Sequence, residues 1–286
     1  MGGLMARNLL RAGHRVALWS HSPGKAVDLA KEGSGVACAT PSEVATQSDV
    51  IFLCVGNSEM AEKVILGENG LIKGAKAGST IVDASTIAPS VSRRIGGELS
   101  KSGINFLDAP CTGSKPGADA GTLTFMVGGD EAIFESVKPY LEAMGKLLYY
   151  CGGPGMGLNA KLTQNLVLCN IMQAFNEGMV LSTKAGVDPE LMLKILDNSA
   201  AKSGLISFKA PYVLDRNFVT NFSTKWMHKD ISLMLESGEE LNVPLPLTGL
   251  TQQLFRAAIA KGFGEDDMCS TIKVLEDFAG VEVKRQ

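Results

Sequence analysis

Val50-Ile51-Phe52-Leu53-Cys54-Val55 is six apolar residues in a row, three of them β-branched. A strand with one wet face alternates apolar with polar; an unbroken run predicts a strand covered on both faces, as in a parallel sheet. Working outward, similar short runs recur at Arg15–Trp19, Thr80–Asp83, Asn105–Asp108, Leu123–Val127 and Leu147–Tyr150. Segments with helical spacing lie between them: Gly2–Ala12, Pro23–Lys31, Met60–Leu66 and Val91–Ser100. Strands alternating with helices predict an α/β domain with a parallel-sheet core, which takes its ligand outside the carboxyl ends of the strands.

Beyond residue 153 the pattern changes. Leu158, Leu162, Leu166, Cys169, Met172, Phe175 and Met179 mark one long helix over 157–185. About 28 residues at 1.5 Å each span roughly 42 Å, long for a helix inside one small domain. Further helices are expected at Pro189–Ser199, His228–Leu241, Leu247–Lys261 and Met268–Ala279, and strand signals nearly vanish. The division is therefore 1–153, a dinucleotide-binding type of domain, and 154–286, all helical and including the long interdomain helix.

Composition narrows the function classes. The 286 residues are 45% hydrophobic and 20% charged with net charge −3, values that exclude a disordered chain and give no support for nucleic-acid binding. No charge-free apolar stretch of about 18 residues offers a membrane span. The start, Met1–Arg11, carries Arg7 and Arg11 in an amphipathic pattern unlike a secretion signal. None of the six cysteines forms a Cys-x-x-Cys pair, and most sit in apolar runs, which predicts reduced thiols in a cytoplasmic protein. Three scattered histidines give a metal site little to build on.

Two local features point to a nucleotide. Helix Gly2–Ala12 is followed by Gly13-His14 and a strand, the order found after a Gly-x-Gly-x-x-Gly turn whose pyrophosphate rests on the helix N-terminus. Gly2 would be the third glycine, with a strand and the two earlier glycines expected ahead of Met1. At the end of the next strand stand Ser20, His21, Ser22 and Lys25, with no acid to hold the ribose hydroxyls. Hydroxyls, an imidazole and an ammonium suit a 2′-phosphate, so NADP is expected ahead of NAD. A solvated turn is the alternative.

Two further stretches carry chemistry: Asp108-Ala109-Pro110-Cys111-Thr112-Gly113-Ser114, continuing to Gly121-Thr122-Leu123, and Gly153-Pro154-Gly155-Met156-Gly157-Leu158-Asn159-Ala160-Lys161-Leu162-Thr163-Gln164-Asn165. Together, and over nearly the whole chain, they resemble the β-hydroxyacid dehydrogenase family, which acts on 3-hydroxyisobutyrate, tartronate semialdehyde, glyoxylate and succinic semialdehyde. The run Met5–His14 is similar to that family's first helix. The resemblance implies a Rossmann-type domain, a long interdomain helix, and an all-α C-terminal domain that makes homodimer or homotetramer contacts. It also implies a nicotinamide cofactor and a small carboxylate-bearing substrate. Thr112 and Ser114 depart from the family's Ser and Gly; the first change keeps a hydroxyl.

Hydride transfer to an aldehyde leaves an alkoxide that needs a proton. Lys161 and Asn165, four apart, point from one helix face, so Lys161 is expected to supply that proton and Asn165 to hold the hydroxyl or orient the lysine. Thr112 and the N–H groups of Gly113 and Ser114 follow a strand end, where they can receive a carboxylate. Thr86 follows another strand; it touches the cofactor or caps a helix. Val55-Gly56-Asn57 resembles the family's turn over the cofactor, and Lys229 matches a family lysine near cofactor and substrate, with a helix-surface charge as its alternative. An inactive oligomerisation module and an imine reductase remain as rival readings.

Overall fold

The computed structural model describes residues 1–22 and 24–285. Contacts divide the chain into two compact units, Met1–Lys161 and Leu162–Gln286. The first contains α1 (Gly2–Arg11), β1 (Val16–Leu18), α2 (Lys25–Ala30), β2 (Gly35–Ala37), α3 (Pro41–Thr46), β3 (Val50–Leu53), α4 (Ser58–Leu66), β4 (Thr80–Asp83), α5 (Pro89–Ser100), β5 (Asn105–Asp108), β6 (Cys111–Thr112), α6 (Ser114–Asp119), β7 (Leu123–Gly128), α7 (Glu131–Glu142) and β8 (Gly145–Gly152). Pro23, the expected start of the second helix, lies outside the described residues.

The apolar runs form the strands they predict. β3, β4 and β5 are parallel, with Ile51, Ile81 and Phe106 side by side. Successive side chains of a strand point to opposite faces. On β4, Ile81 enters a core with Ile51, Leu53, Ile65, Ile95 and Leu99, while Val82 enters another with Met5, Leu9, Leu107, Phe125 and Leu141. Helices cover both sides, which explains the missing alternation. The sheet is not parallel throughout. β7 runs antiparallel to β5 and β6, and β8 runs parallel to β7. β1 and β2 form a separate parallel pair; among the described residues no strand pairs with the other edge of β1 or with the outer edge of β3.

Helix starts follow local chemistry. Thr40, Asn57 and Asp130 each accept an N–H bond from the residue three further on, at the heads of α3, α4 and α7. Most of the candidate site residues lie in the loops after β1, β3 and β4, around β6 and on the helices Met156–Lys184 and Thr224–Glu240.

α8 (Met156–Lys184) begins in the first unit and continues into the second. It is followed by α9 (Pro189–Asp197), α10 (Gly204–Leu214), α11 (Thr224–Glu240), α12 (Pro246–Ala260), a 3-10 turn at Met268–Thr271, and α13 (Ile272–Ala279). Leu162, Cys169, Met172, Phe175 and Met179 of α8 pack with Met227, Ile231, Phe255 and Ile272 in the second unit's core. Under that core lies a buried ion pair. Asp267 takes Lys209 through both oxygens at 2.8 and 2.7 Å, and also accepts from the N–H groups of Asn221, Phe222 and Cys269. Among the described residues no helix, α8 included, is long and apolar enough to cross a membrane.

Candidate active site

The candidate cofactor residues lie at strand termini of the first unit. Past β1, a cavity of about 340 Å³ is lined by Trp19, Ser20, His21, Ser22 and Cys38, among others. The turn is held by Ser22, whose N–H donates to the Ser20 Oγ at 3.3 Å. Lys25 is exposed at the first position of α2 and is not among the lining residues. α1 starts over the end of β3, where a Cβ on Gly2 would stand 3.4 Å from that of Cys54. No side chain caps α1 and no acid lies in its first turn, so its leading N–H groups suit an anion. Cavity and uncapped helix are the two kinds of feature that a dinucleotide needs.

The loops after β3 and β4 are tied to each other. Val55 N–H donates to the Ser85 Oγ at 2.8 Å, and Ser85 N–H to the buried Asp83 at 2.8 Å. Ala88 N–H donates to the Ser58 Oγ at 3.1 Å. Asn57 is occupied as the cap of α4, its Oδ1 accepting from Met60 N–H at 2.8 Å, while Val55 and Gly56 lead into it. Thr86 is not a helix cap: α5 starts at Pro89 after Ala88. It is instead the one half-buried residue in the otherwise buried stretch 81–89.

A second corner forms where β5, β6 and α8 meet. Thr112 closes β6, and Gly113 and Ser114 follow, with Ser114 at φ 55°, a left-handed conformation that a residue with a Cβ rarely adopts. Lys161 is buried at 7% exposure. Its ammonium acts on the neighbouring Cys111 thiol, favouring the thiolate; burial outweighs this and pushes that thiol up to about 12.

One turn further along α8, Asn165 is buried at 2% and its Nδ2 donates to Asp230 Oδ2 at 2.7 Å. Lys229 Nζ lies 2.8 Å from Asp230 Oδ1 and 6.0 Å from the centre of the Trp226 ring. Lys229 is thus an ion-paired residue of α11 rather than a free surface charge. Asp230, which the motifs did not single out, is the residue that joins Asn165 to Lys229. Its signal was adjacency to Lys229 alone; the burial that gives an acid meaning is not written in a dipeptide.

An uncapped helix and a strand-end cavity suit a nucleotide, and a buried lysine suits proton transfer, as a dinucleotide-dependent oxidoreductase requires. Comparison with known proteins agrees. Residues 1–153 match the family described as the NAD binding domain of 6-phosphogluconate dehydrogenase, and residues 155–275 that described as NAD-binding of NADP-dependent 3-hydroxyisobutyrate dehydrogenase. The chain is 38% identical to 2-(hydroxymethyl)glutarate dehydrogenase of Eubacterium barkeri, covering 99% of this chain and 94% of that one. It is 36% identical to 2-hydroxy-3-oxopropionate reductase of Escherichia coli, covering 96% and 94%. Among solved structures, 3-hydroxyisobutyrate dehydrogenase of Mycobacterium tuberculosis with L-serine superimposes with a TM-score of 0.88 at 27% identity, covering 96% of this chain and 95% of that one. The chain belongs to the β-hydroxyacid dehydrogenase family and is an NAD(P)-dependent oxidoreductase acting on CH–OH groups.

Proposed function

We propose that the protein moves a hydride between NADP and a small hydroxy acid or the matching aldehyde acid, with Lys161 as the proton donor and acceptor. The observation that carries this reading is the burial of Lys161 near the head of α8, where its charge acts on the Cys111 thiol next to Thr112. The relatives named for hydroxymethylglutarate and hydroxyoxopropionate support an acid-bearing substrate. The hydroxyl and imidazole lining of the strand-end cavity supports NADP ahead of NAD.

The cofactor supplies the hydride. Thr112 and the N–H groups of Gly113 and Ser114 take the substrate carboxylate, which fixes one end of a short molecule. The Lys161 ammonium donates a hydrogen bond to the aldehyde oxygen, stabilises negative charge as it develops there, and then gives up the proton. In the reverse direction the neutral amine accepts the hydroxyl proton. Asn165, its amide oriented by Asp230, holds the same oxygen or the lysine in line. A homodimer or homotetramer through the helical unit completes the proposal.

The experiment is Lys161→Ala assayed at saturating substrate with both cofactors against glyoxylate, succinic semialdehyde, tartronate semialdehyde and 3-hydroxyisobutyrate. kcat should fall by about 10²–10⁴, the usual contribution of a positioned general acid, with cofactor affinity unchanged. Near-normal turnover removes Lys161 from this role. Equal kcat/KM for succinic semialdehyde and butyraldehyde in the unmodified enzyme removes the carboxylate pocket.

A further inference from the structure

We propose that Asp108 is a positioning residue: its buried carboxylate anchors the first turn of α8 and thereby sets the spacing between Lys161 and Thr112. The inference rests on the reading of Lys161 as the proton donor.

The first N–H groups of a helix have no partner within it. α3, α4 and α7 satisfy theirs with a side chain just ahead of the helix. The residues ahead of α8 are Gly153, Pro154 and Gly155, which have no side-chain acceptor to give. Its acceptor comes from 47 residues earlier in the chain. Gly155 N–H donates to Asp108 Oδ1 at 2.7 Å, and Leu158 N–H donates to Asp108 Oδ2 at 2.9 Å. Both oxygens are thus used on one helical turn, and the residue is only 1% exposed. A negative charge at a helix N-terminus is well placed, and N–H bonds to a carboxylate are stronger and shorter than neutral ones. Burial pushes this carboxyl up and the N–H bonds pull it down, burial being the larger.

The junction leaves no slack. β5 and β7 meet through the pair Asp108 and Gly128. A Cβ on Gly128 would stand 2.7 Å from Asp108 Oδ1 and 2.7 Å from Gly157 N, and one on Gly157 would run into Met126 O and lie 2.8 Å from Asp108 O. Two glycines on facing elements therefore let α8 approach until its N–H groups reach the carboxylate.

The anchor has a consequence on each of the two elements it joins. Along α8, Lys161 lies three residues past Leu158, a rise of roughly 4.5 Å. Along the chain from β5, Thr112 lies four residues past Asp108, through Ala109-Pro110-Cys111, at the end of β6. One side chain thus ties the helix bearing the proton donor to the short segment bearing the carboxylate-receiving hydroxyl. A substrate with its carboxylate and reacting carbon only a few bonds apart needs that separation held closely, since a shift of about 1 Å can cost some 10² in rate.

The test compares Asp108→Asn, Asp108→Ala and Gly128→Ala with Asp130→Ala, which removes the ordinary cap of α7 in the same unit. Rates are expressed per cofactor-binding site, titrated by NADPH fluorescence, so that misfolded protein does not count. The expected result is a kcat lowered about tenfold in Asp108→Asn, which keeps one acceptor oxygen, and about a hundredfold in Asp108→Ala, with NADPH affinity unchanged. Gly128→Ala should fall between them, and Asp130→Ala should lose thermal stability without losing kcat. If Asp108→Ala does not fold, Asp108→Asn and Gly128→Ala carry the test. Wild-type kcat in Asp108→Asn, or a loss as large in Asp130→Ala, overturns the proposal. Should Lys161→Ala retain turnover, the reading of Lys161 falls and this inference with it. Loss in Lys161→Ala alongside normal Asp108 variants removes only the positioning role.

Discussion

Single residues show where reading from sequence stops. Ser20, His21 and Ser22, singled out as a strand-end turn without an acid, line one cavity, so their nearness to each other was legible. Asp108 and Asp230 were not legible in the roles they have. Each acquires its role from partners distant in sequence, 47 residues for Gly155 and 65 for Asn165, and from near-complete burial. Two predictions belong at this scale. Ser20→Asp places a carboxylate where ribose hydroxyls bind NAD and where it repels a 2′-phosphate, so the ratio of kcat/KM with NADPH to that with NADH should fall by at least about tenfold, the cost of one lost charged contact. An unchanged ratio would show that the 2′ position lies elsewhere. Asp230→Ala removes the acceptor that orients the Asn165 amide and the partner of Lys229. Steady-state kinetics should then show a lower kcat, by about 10–100-fold for misaligned groups, without weaker NADPH binding.

Elements were legible in proportion to length and pattern. Thr80–Asp83 and Asn105–Asp108 are strands at their expected limits, because both their faces are covered and every residue is a packing signal. β2 and β6, with three and two residues, are too short to show a period, and the six-residue helices α3 and α6 are hardly longer. β7 is placed antiparallel by the Asp108–Gly128 pair and by its pairing with β6, neither of which a local pattern announces. In the helical unit, α10 reads as a continuous apolar segment, and the sequence does not say that Lys209 within it turns inward. Asp267 and Lys209 are 0% and 3% exposed in their side chains. Lys209→Ala should therefore cost about 3–5 kcal/mol, the penalty of leaving a buried charge unpaired, seen as a lower Tm or urea midpoint. A loss below about 1 kcal/mol would place the pair among solvent-screened bridges. His228 on α11 gives a pH dependence. Burial first, and Arg256 second, hold its imidazole below the usual histidine range. The unfolded chain then binds a proton that the folded chain refuses, so stability falls as pH drops through the ordinary histidine value and levels off below the folded one. His228→Gln should flatten that part of a Tm-versus-pH curve, and an unaltered slope would assign it to other groups.

At the scale of the whole molecule the two units differ in what they leave uncovered. The first unit has cores on two faces of a sheet, and its most exposed large apolar side chains, Val27, Leu147 and Tyr149, stand at 52%, 52% and 54%. The second has one core and a second set of apolar side chains pointing away from it: Leu181 at 73% exposure, Phe278 at 71%, Leu250 at 61% and Leu247 at 60%. α12 makes the contrast within one helix. Thr248, Thr251, Phe255 and Ala258 face inward, while Leu247, Leu250 and the half-buried Leu254 repeat at helical spacing along the adjoining flank. Isolated exposed leucines need no explanation, but a stripe of them on a folded helix is a surface that gains by being covered. Burying each leucine is worth about 1.5–3 kcal/mol, so a few of them repeated on two copies can offset the entropy lost on association. A symmetric contact would bring the same helix from each copy together. The protein should therefore elute, by size exclusion with light scattering, at a multiple of its 30.2 kDa chain mass. Leu250→Glu, which sets like charges against each other across such a contact, should shift the mass toward a single chain at micromolar concentration while leaving the far-UV spectrum unchanged. A wild-type protein that is monomeric at every concentration, or a Leu250→Glu variant with undiminished mass, would remove the α12 face as the place of assembly.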